Sequence, residues 1–178
     1  MCSDYRVTPH DDLPQDDSTS TLDPEMLRRI AVDVAREAGR HVRRRRPEVF
    51  GAGGAAVDAV RSKSTPTDPV TVVDTETEHV IRDLLTRLRP GDAVLGEEGG
   101  GEDIAPSGVR WVLDPIDGTV NFLYGIPAYS VSVAAQIDGA SVAGAVEDVV
   151  GDRTYAASLG GGAWCSDTGG DWRRLRVN

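Results

Sequence analysis

Leu27, Ile30, Ala31, Val34, Ala38 and Val42 recur at helical spacing and predict one long amphipathic helix. Asp23-Pro24-Glu25 opens it with an N-cap, a proline at the first helical position and an acid in the first turn. Four arginines, residues 43–46, precede Pro47, where the helix is predicted to end. A second stripe, Val80, Ile81, Leu84, Leu85 and Leu88, predicts a helix over 75–88, stopped by Pro90-Gly91-Asp92. Short apolar runs at 70–73, 93–95 and 109–113 read as strands. Beyond residue 128 the period changes to two: 129–137 alternates, Asp138-Gly139 is a hairpin signal, and 141–150 returns. Strands at 153–158, 163–165 and 172–177 follow, with Gly160 to Gly162 as a tight turn. Two helices followed by a meander predict an α+β layered domain, helices against one face of a largely antiparallel sheet.

Composition narrows the class. The chain has 178 residues, with Asp and Glu outnumbering Lys and Arg 29 to 19 for a net charge of -10. Such a chain repels a nucleic-acid backbone unless basic residues are segregated. The arginines at 43–46 are the one basic cluster, read as a solvated helix end that complements the dipole. No apolar run approaches the roughly 20 residues that span a bilayer, so no membrane partner is expected. Residues 1–22 are polar and acidic and are expected to be a disordered leader; they lack the apolar core of a signal peptide, which points to the cytoplasm. Residues 51–59, rich in Gly and Ala, are expected to be a mobile loop. Cys2 and Cys165 make no disulfide framework or zinc pattern.

Three acids follow apolar runs: Asp74 after 70–73, Glu97 after 93–95 and Asp114 after 109–113. Adjacent strands would gather them, with Asp117, into one cleft. Clustered carboxylates repel one another, and a divalent cation with oxygen ligation, Mg2+ above all, removes that penalty. Gly118 and Thr119 follow directly at a predicted helix start, where backbone amides welcome phosphate oxygens. Glu97 as proton acceptor and Thr119 orienting a water would complete a metal-assisted phosphate reaction. Each part also has a plainer reading. Asp74 can be a helix cap, Glu97-Glu98 a solvated loop, Asp114-Pro115 a turn opener, and Lys63 an exposed cation or an anion contact. His10, His41 and His79 read as ordinary surface or half-buried residues.

Lys63…Asp68-Pro-Val-Thr-Val-Val-Asp74, Gly96-Glu97-Glu98 and Asp114-Pro-Ile-Asp-Gly-Thr-Val-Asn-Phe122 stand in the order characteristic of the inositol monophosphatase family. From about residue 22 onward the chain resembles the bacterial inositol-1-monophosphatase type. That resemblance implies the layered sugar-phosphatase fold, with 23–178 as its N-terminal metal- and phosphate-binding domain. It implies Mg2+ held by Glu97, Asp114, the carbonyl of Ile116 and Asp117, with Asp114 bridging two ions. Glu97 and Thr119 would activate the attacking water, with Asp74 supporting Thr119. Ile116, Asp117, Gly118, Thr119 and Glu97 would line the substrate site. Lys63 and Asp68 would lie in a mobile loop near the metals, and Glu98 would be structural.

The implied activity is Mg2+-dependent hydrolysis of inositol 1-phosphate or a related small polyol or sugar phosphate. The alternatives are histidinol-phosphate phosphatase, fructose-1,6-bisphosphatase or 3′-phosphoadenylate nucleotidase activity, or a truncated non-catalytic homologue acting through protein contacts. The family also implies a homodimer. It continues into a second α/β half with a Trp-Asp-x-Ala-Ala-Gly segment that this sequence does not contain. The alcohol-recognition half is therefore expected to be missing, and part of the sheet's apolar surface to be uncovered.

Overall fold

The computed structural model describes residues 22–51, 60–62, 69–99, 107–167 and 170–176. The leader up to residue 21, the loop 52–59, Lys63 and Asp68 lie outside the described residues. Helix α1 spans Pro24–Phe50, capped by Asp23, whose carboxylate accepts the Glu25 amide at 3.1 Å. Leu27, Ala31, Val34, Ala38 and Val42 are buried, while Arg29, Asp33, Glu37 and Arg40 are exposed, so the predicted stripe is the buried one.

The helix does not stop at Pro47. It continues to Phe50, whose buried ring meets Phe122 edge-on at 5.4 Å. A proline inside a helix costs ~3 kcal/mol, and burying a phenyl ring returns about 1.5–3 kcal/mol of it. The Pro47 carbonyl still accepts the Gly51 amide at 3.0 Å and closes the last turn. Three of the four arginines are therefore not a solvated helix end, while Arg44 remains exposed beside His41. Arg43 reaches the Val149 carbonyl at 2.9 Å and Asp152 at 2.6 Å, and Arg45 pairs with Glu76 at 2.7 Å. Arg46 donates to the Phe122 carbonyl at 3.0 Å and lies over the Phe122 ring.

A two-stranded antiparallel ribbon, β1 (Val60–Ser62) with β2 (Pro69–Thr71), leads into α2, Val72–Leu88. The β-branched pair Val72-Val73 suggested a strand ending at Asp74; instead Thr71 caps a helix that begins at Val72. Thr71 and Asp74 form a reciprocal capping box, so Asp74 sits in the first helical turn rather than at a strand end. Val73, Ile81 and Leu85 are buried, Val80 and Leu84 partly so, and Leu88 is exposed.

The main sheet has the order β3 (Ala93–Gly96), β4 (Val109–Asp117), β5 (Ser130–Ile137), β6 (Ala140–Asp148), β7 (Arg153–Ser158), β8 (Gly162–Asp167) and β9 (Arg173–Arg174). Only β3 and β4 pair in parallel; every other neighbour is antiparallel. The hairpin turn falls on Asp138 and Gly139, both at positive φ, 50 and 79 degrees, as a two-residue type I′ turn requires. Between β4 and β5 lies the six-residue helix α3, Thr119–Tyr124. Helix α1 packs on β5, β6 and β7, and α2 packs on α1 and β4.

Alternation sorts the sheet's two faces. Val131, Val133, Ala135, Ala143, Ala145 and Ala156 are buried in the core with Trp111, whose indole N–H donates to Asp92 at 2.8 Å. On the opposite face, pairing register lines up Val112, Ala134, Gly144, Ala157 and Ala163 across five strands. Beside them a shallow apolar groove is lined by Val146, Tyr155 and Leu175 among others, with Val146 and Tyr155 both exposed.

Candidate active site

Strand register brings the first two acids together. Gly96 pairs with Leu113 at the end of the parallel β3–β4 ladder, so the next residues, Glu97 and Asp114, stand side by side. Strand β4 continues past Leu113 to Asp117, so Asp114, Ile116 and Asp117 lie on the strand itself rather than in a turn beyond it. Pro115 is tolerated because β3 has already ended and the β4–β5 pairing is irregular between Asp114 and Asp117. There β4 needs no ladder N–H from residue 115.

Asp114 is half-buried, and its pKa is pushed up to about 7. Burial is the first cause; the nearby charge of Glu97, a hydrogen bond with it and the charge of Asp117 add to the rise. The Ile116 amide, donating to the carboxylate, works against them. One buried oxygen, Asp114 Oδ1, has no hydrogen-bond partner among the described residues. Asp117 is exposed at the strand end, with the Ser130 hydroxyl 3.5 Å away.

Asp74 is 1% exposed and fully engaged. Its Oδ2 accepts the Thr71 amide at 3.0 Å and the Thr71 hydroxyl, and its Oδ1 lies 3.2 Å from the Thr119 hydroxyl. Burial raises its pKa, and the donors of Thr71 and Thr119 oppose that rise. Thr119 Oγ1 is also 3.0 Å from the Ile116 carbonyl. Ile116 thus joins both halves: its N–H reaches Asp114, and its carbonyl reaches the threonine that Asp74 holds.

Gly118 separates Asp117 from Thr119 at φ 90 degrees, and a Cβ there would stand 3.1 Å from the Ala128 carbonyl. Only glycine fits that turn without strain. No side chain caps the first turn of α3, so its leading amides have no capping acceptor. The back of α3 is wedged into the core by Phe122, fully buried between Phe50 and Tyr129, with ring centroids 5.4 and 5.2 Å apart.

Glu97, Asp114, Ile116, Asp117, Gly118, Thr119 and Asp74 therefore all border one corner of the sheet. Sequence reasoning missed Thr71, Phe50 and Arg46, which hold that corner. A Thr-x-x-Asp pattern at residues 71–74 was the available sign of the capping box. Among the described residues no three Asp, Glu, His or Cys side chains converge as a ready-made ion site. The donor set still suits a hard cation. Asp114 has an unpartnered buried oxygen and faces two further carboxylates, all of them oxygen donors, a combination that a divalent ion relieves.

Comparison with known proteins shows the family. The family model described as "Inositol monophosphatase family" matches residues 23–178. The chain is 63% identical over 151 residues to the inositol-1-monophosphatase of Mycobacterium leprae, covering 82% of this chain and 52% of that protein. The structure of Mycobacterium tuberculosis SuhB superposes with a TM-score of 0.71 at 49% identity, covering 88% of this chain and 54% of that one. Thermotoga maritima IMPase gives 0.70 at 29% identity, covering 84% and 53%. The chain spans about half the length of the curated relatives it matches. With its signature acids gathered beside a glycine turn, this α+β chain belongs to the inositol monophosphatase family.

Proposed function

We propose that this chain carries the metal- and phosphate-binding half of a Mg2+-dependent phosphomonoesterase acting on inositol 1-phosphate or a related small polyol phosphate. The observation that carries the reading is the Asp114 oxygen without a partner among the described residues, buried beside Glu97 and linked through Ile116 to the Asp74–Thr119 pair. Glu97, Asp114, the Ile116 carbonyl and Asp117 would hold the cation. When bound, such an ion neutralises the acids, draws in the phosphate oxygens and makes water a better nucleophile.

The chain's own residues supply the rest. A threonine hydroxyl has one hydrogen and two lone pairs. Given to Asp74, that hydrogen leaves the Thr119 oxygen as an acceptor that orients a water. Asp74 is saturated with donors and acts through this hydrogen bond rather than on substrate. Glu97 lies at the exposed end of β3 and is placed to take the water's proton. The uncapped first turn of α3, opened by Gly118, offers backbone N–H groups to the phosphate. The names of the Mycobacterium relatives support inositol 1-phosphate as first substrate to try.

The test is phosphate release from inositol 1-phosphate by the 178-residue chain, with Mg2+ and with EDTA. Mg2+-dependent release supports the reading. No release, combined with no Mg2+ uptake by calorimetry in the presence of inorganic phosphate, would end it.

A further inference from the structure

Glu78 lies on the buried face of α2, only 3% exposed, where a carboxylate needs a reason. Its Oε2 accepts the Glu98 amide at 2.8 Å; its Oε1 accepts the Gly99 amide at 3.0 Å and Arg82 Nε at 2.8 Å. Arg82 in turn donates to the Val94 carbonyl of β3 at 3.2 Å. Two consecutive backbone amides converging on one anion form a small nest, here filled by the chain's own side chain.

The glycines on either side of Glu97-Glu98 are shaped around this carboxylate. A Cβ on Gly96 would lie 2.6 Å from Glu78 Oε2, and one on Gly99 would lie 2.7 Å from Oε1. Neither glycine has a positive φ, so close approach rather than backbone conformation accounts for them. Glycine lets the strand end come down onto Glu78, and the resulting anchor fixes the main chain on both sides of the Glu97 side chain.

We propose that Glu78 is a positioning residue for Glu97, clamping residues 96–99 so that the Glu97 carboxylate faces Asp114. The inference rests on the reading above, in which Glu97 serves the metal site. Strand register delivers Glu97 to the neighbourhood of Asp114 but leaves it one residue past the end of a four-residue strand, outside the ladder. Three donors on one buried carboxylate make that terminus a fixed point. Supporting residues of this kind are worth about 10–100-fold in metal affinity.

The experiment uses the 178-residue chain, titrated with Mg2+ in the presence of inorganic phosphate and followed by amide hydrogen exchange. Glu78→Gln keeps the shape but replaces an acceptor with a donor. It is expected to weaken Mg2+ uptake about tenfold or more, and to speed exchange at Glu98 and Gly99 about fivefold or more, as one lost hydrogen bond requires. Leu85→Ala, on the same helix, controls for destabilisation alone and is expected to lower Tm without changing Mg2+ uptake. In a Glu97→Gln background, Glu78→Gln is expected to cause no further loss, since both act through one side chain.

Should Glu78→Gln fail to fold, Gly99→Ala at an exposed position tests the same contact by setting a Cβ against Oε1. Wild-type uptake in Glu78→Gln, or in Gly99→Ala, alongside a loss in Glu97→Gln overturns this inference alone. Unchanged uptake in Glu97→Gln overturns the metal-site reading and the inference with it.

Discussion

Asp74 and Asp114 are both withdrawn from water, yet the fold provides for them in opposite ways. Asp74 takes donors on both oxygens from Thr71 and Thr119, whereas Asp114 faces Glu97 and Asp117 and keeps one buried oxygen without a partner. The first is a finished structural joint. The second is electrostatically incomplete among the described residues, a state that a proton or a cation would relieve. A site of this kind separates the residues that build from those that bind, and substitution at each should give a different signature.

The sharpest test is Asp114→Asn. Removing the charge is expected to abolish Mg2+ uptake and to lower phosphate release by at least ~100-fold, the upper end of what support residues alone cost. The metal-free protein should be no less stable, because the substitution relieves repulsion. A substantial drop in the Tm of the metal-free variant would erase the contrast with Asp74.

Asp74→Asn is expected to behave in the reverse order. The asparagine can keep its oxygen on Thr71 only by turning its NH2 to the Thr119 hydroxyl, so the charge-assisted hydrogen bonds of the carboxylate are lost, at a cost of about 1–3 kcal/mol in denaturant unfolding. Mg2+ uptake should survive in the folded fraction, with phosphate release falling through the loosened Thr119. If Asp74→Asn loses metal as completely as Asp114→Asn, the two aspartates are not divided as argued. Thr119→Val is a milder version: it removes the hydroxyl at nearly constant volume and should cost about 1 kcal/mol of stability, with release reduced and metal retained.

A further effect is in pH. With a native pKa near 7 and an unfolded value near 4, the folded protein holds a proton on Asp114 that the unfolded chain has released. Stability of the metal-free protein should therefore fall as pH rises from about 4 to about 7, and level off above that. Mg2+ should flatten the slope, since it takes the proton's place. Thermal unfolding across this range, with and without Mg2+, measures it; a metal-free slope of opposite sign contradicts the burial argument for Asp114.

The elements that could be read from the chain were those fixed by local chemistry. Asp138-Gly139 placed the hairpin, Asp23-Pro24-Glu25 placed the start of α1, and 153–158 was recovered as β7. The candidate acids were named from the apolar runs before them, although Asp74 lies in the first turn of α2 and Asp114 lies within β4 rather than beyond it. Errors arose where a distant contact overrode a local preference. Pro47 should have ended α1, but Phe50 finds Phe122. Val72-Val73 favoured a strand, but the Thr71–Asp74 box and burial of Val73 make a helix. Pro115 suggested a turn, but it falls where β4 has lost one neighbour. Glu78 was invisible for a related reason: an acid four residues after Asp74 on an apolar stripe has no local meaning until the strand it anchors arrives from twenty residues away.

Helix α1 has 27 residues and so runs about 40 Å, with Glu25 against Ser158 at one end and Phe50 against Phe122 at the other. A six-residue helix on its own would hardly persist in water. Bolted to the longest of the described helices, α3 borrows its stiffness. Across the cleft, the end of β3 has no such strut and is tied down by the buried carboxylate of Glu78.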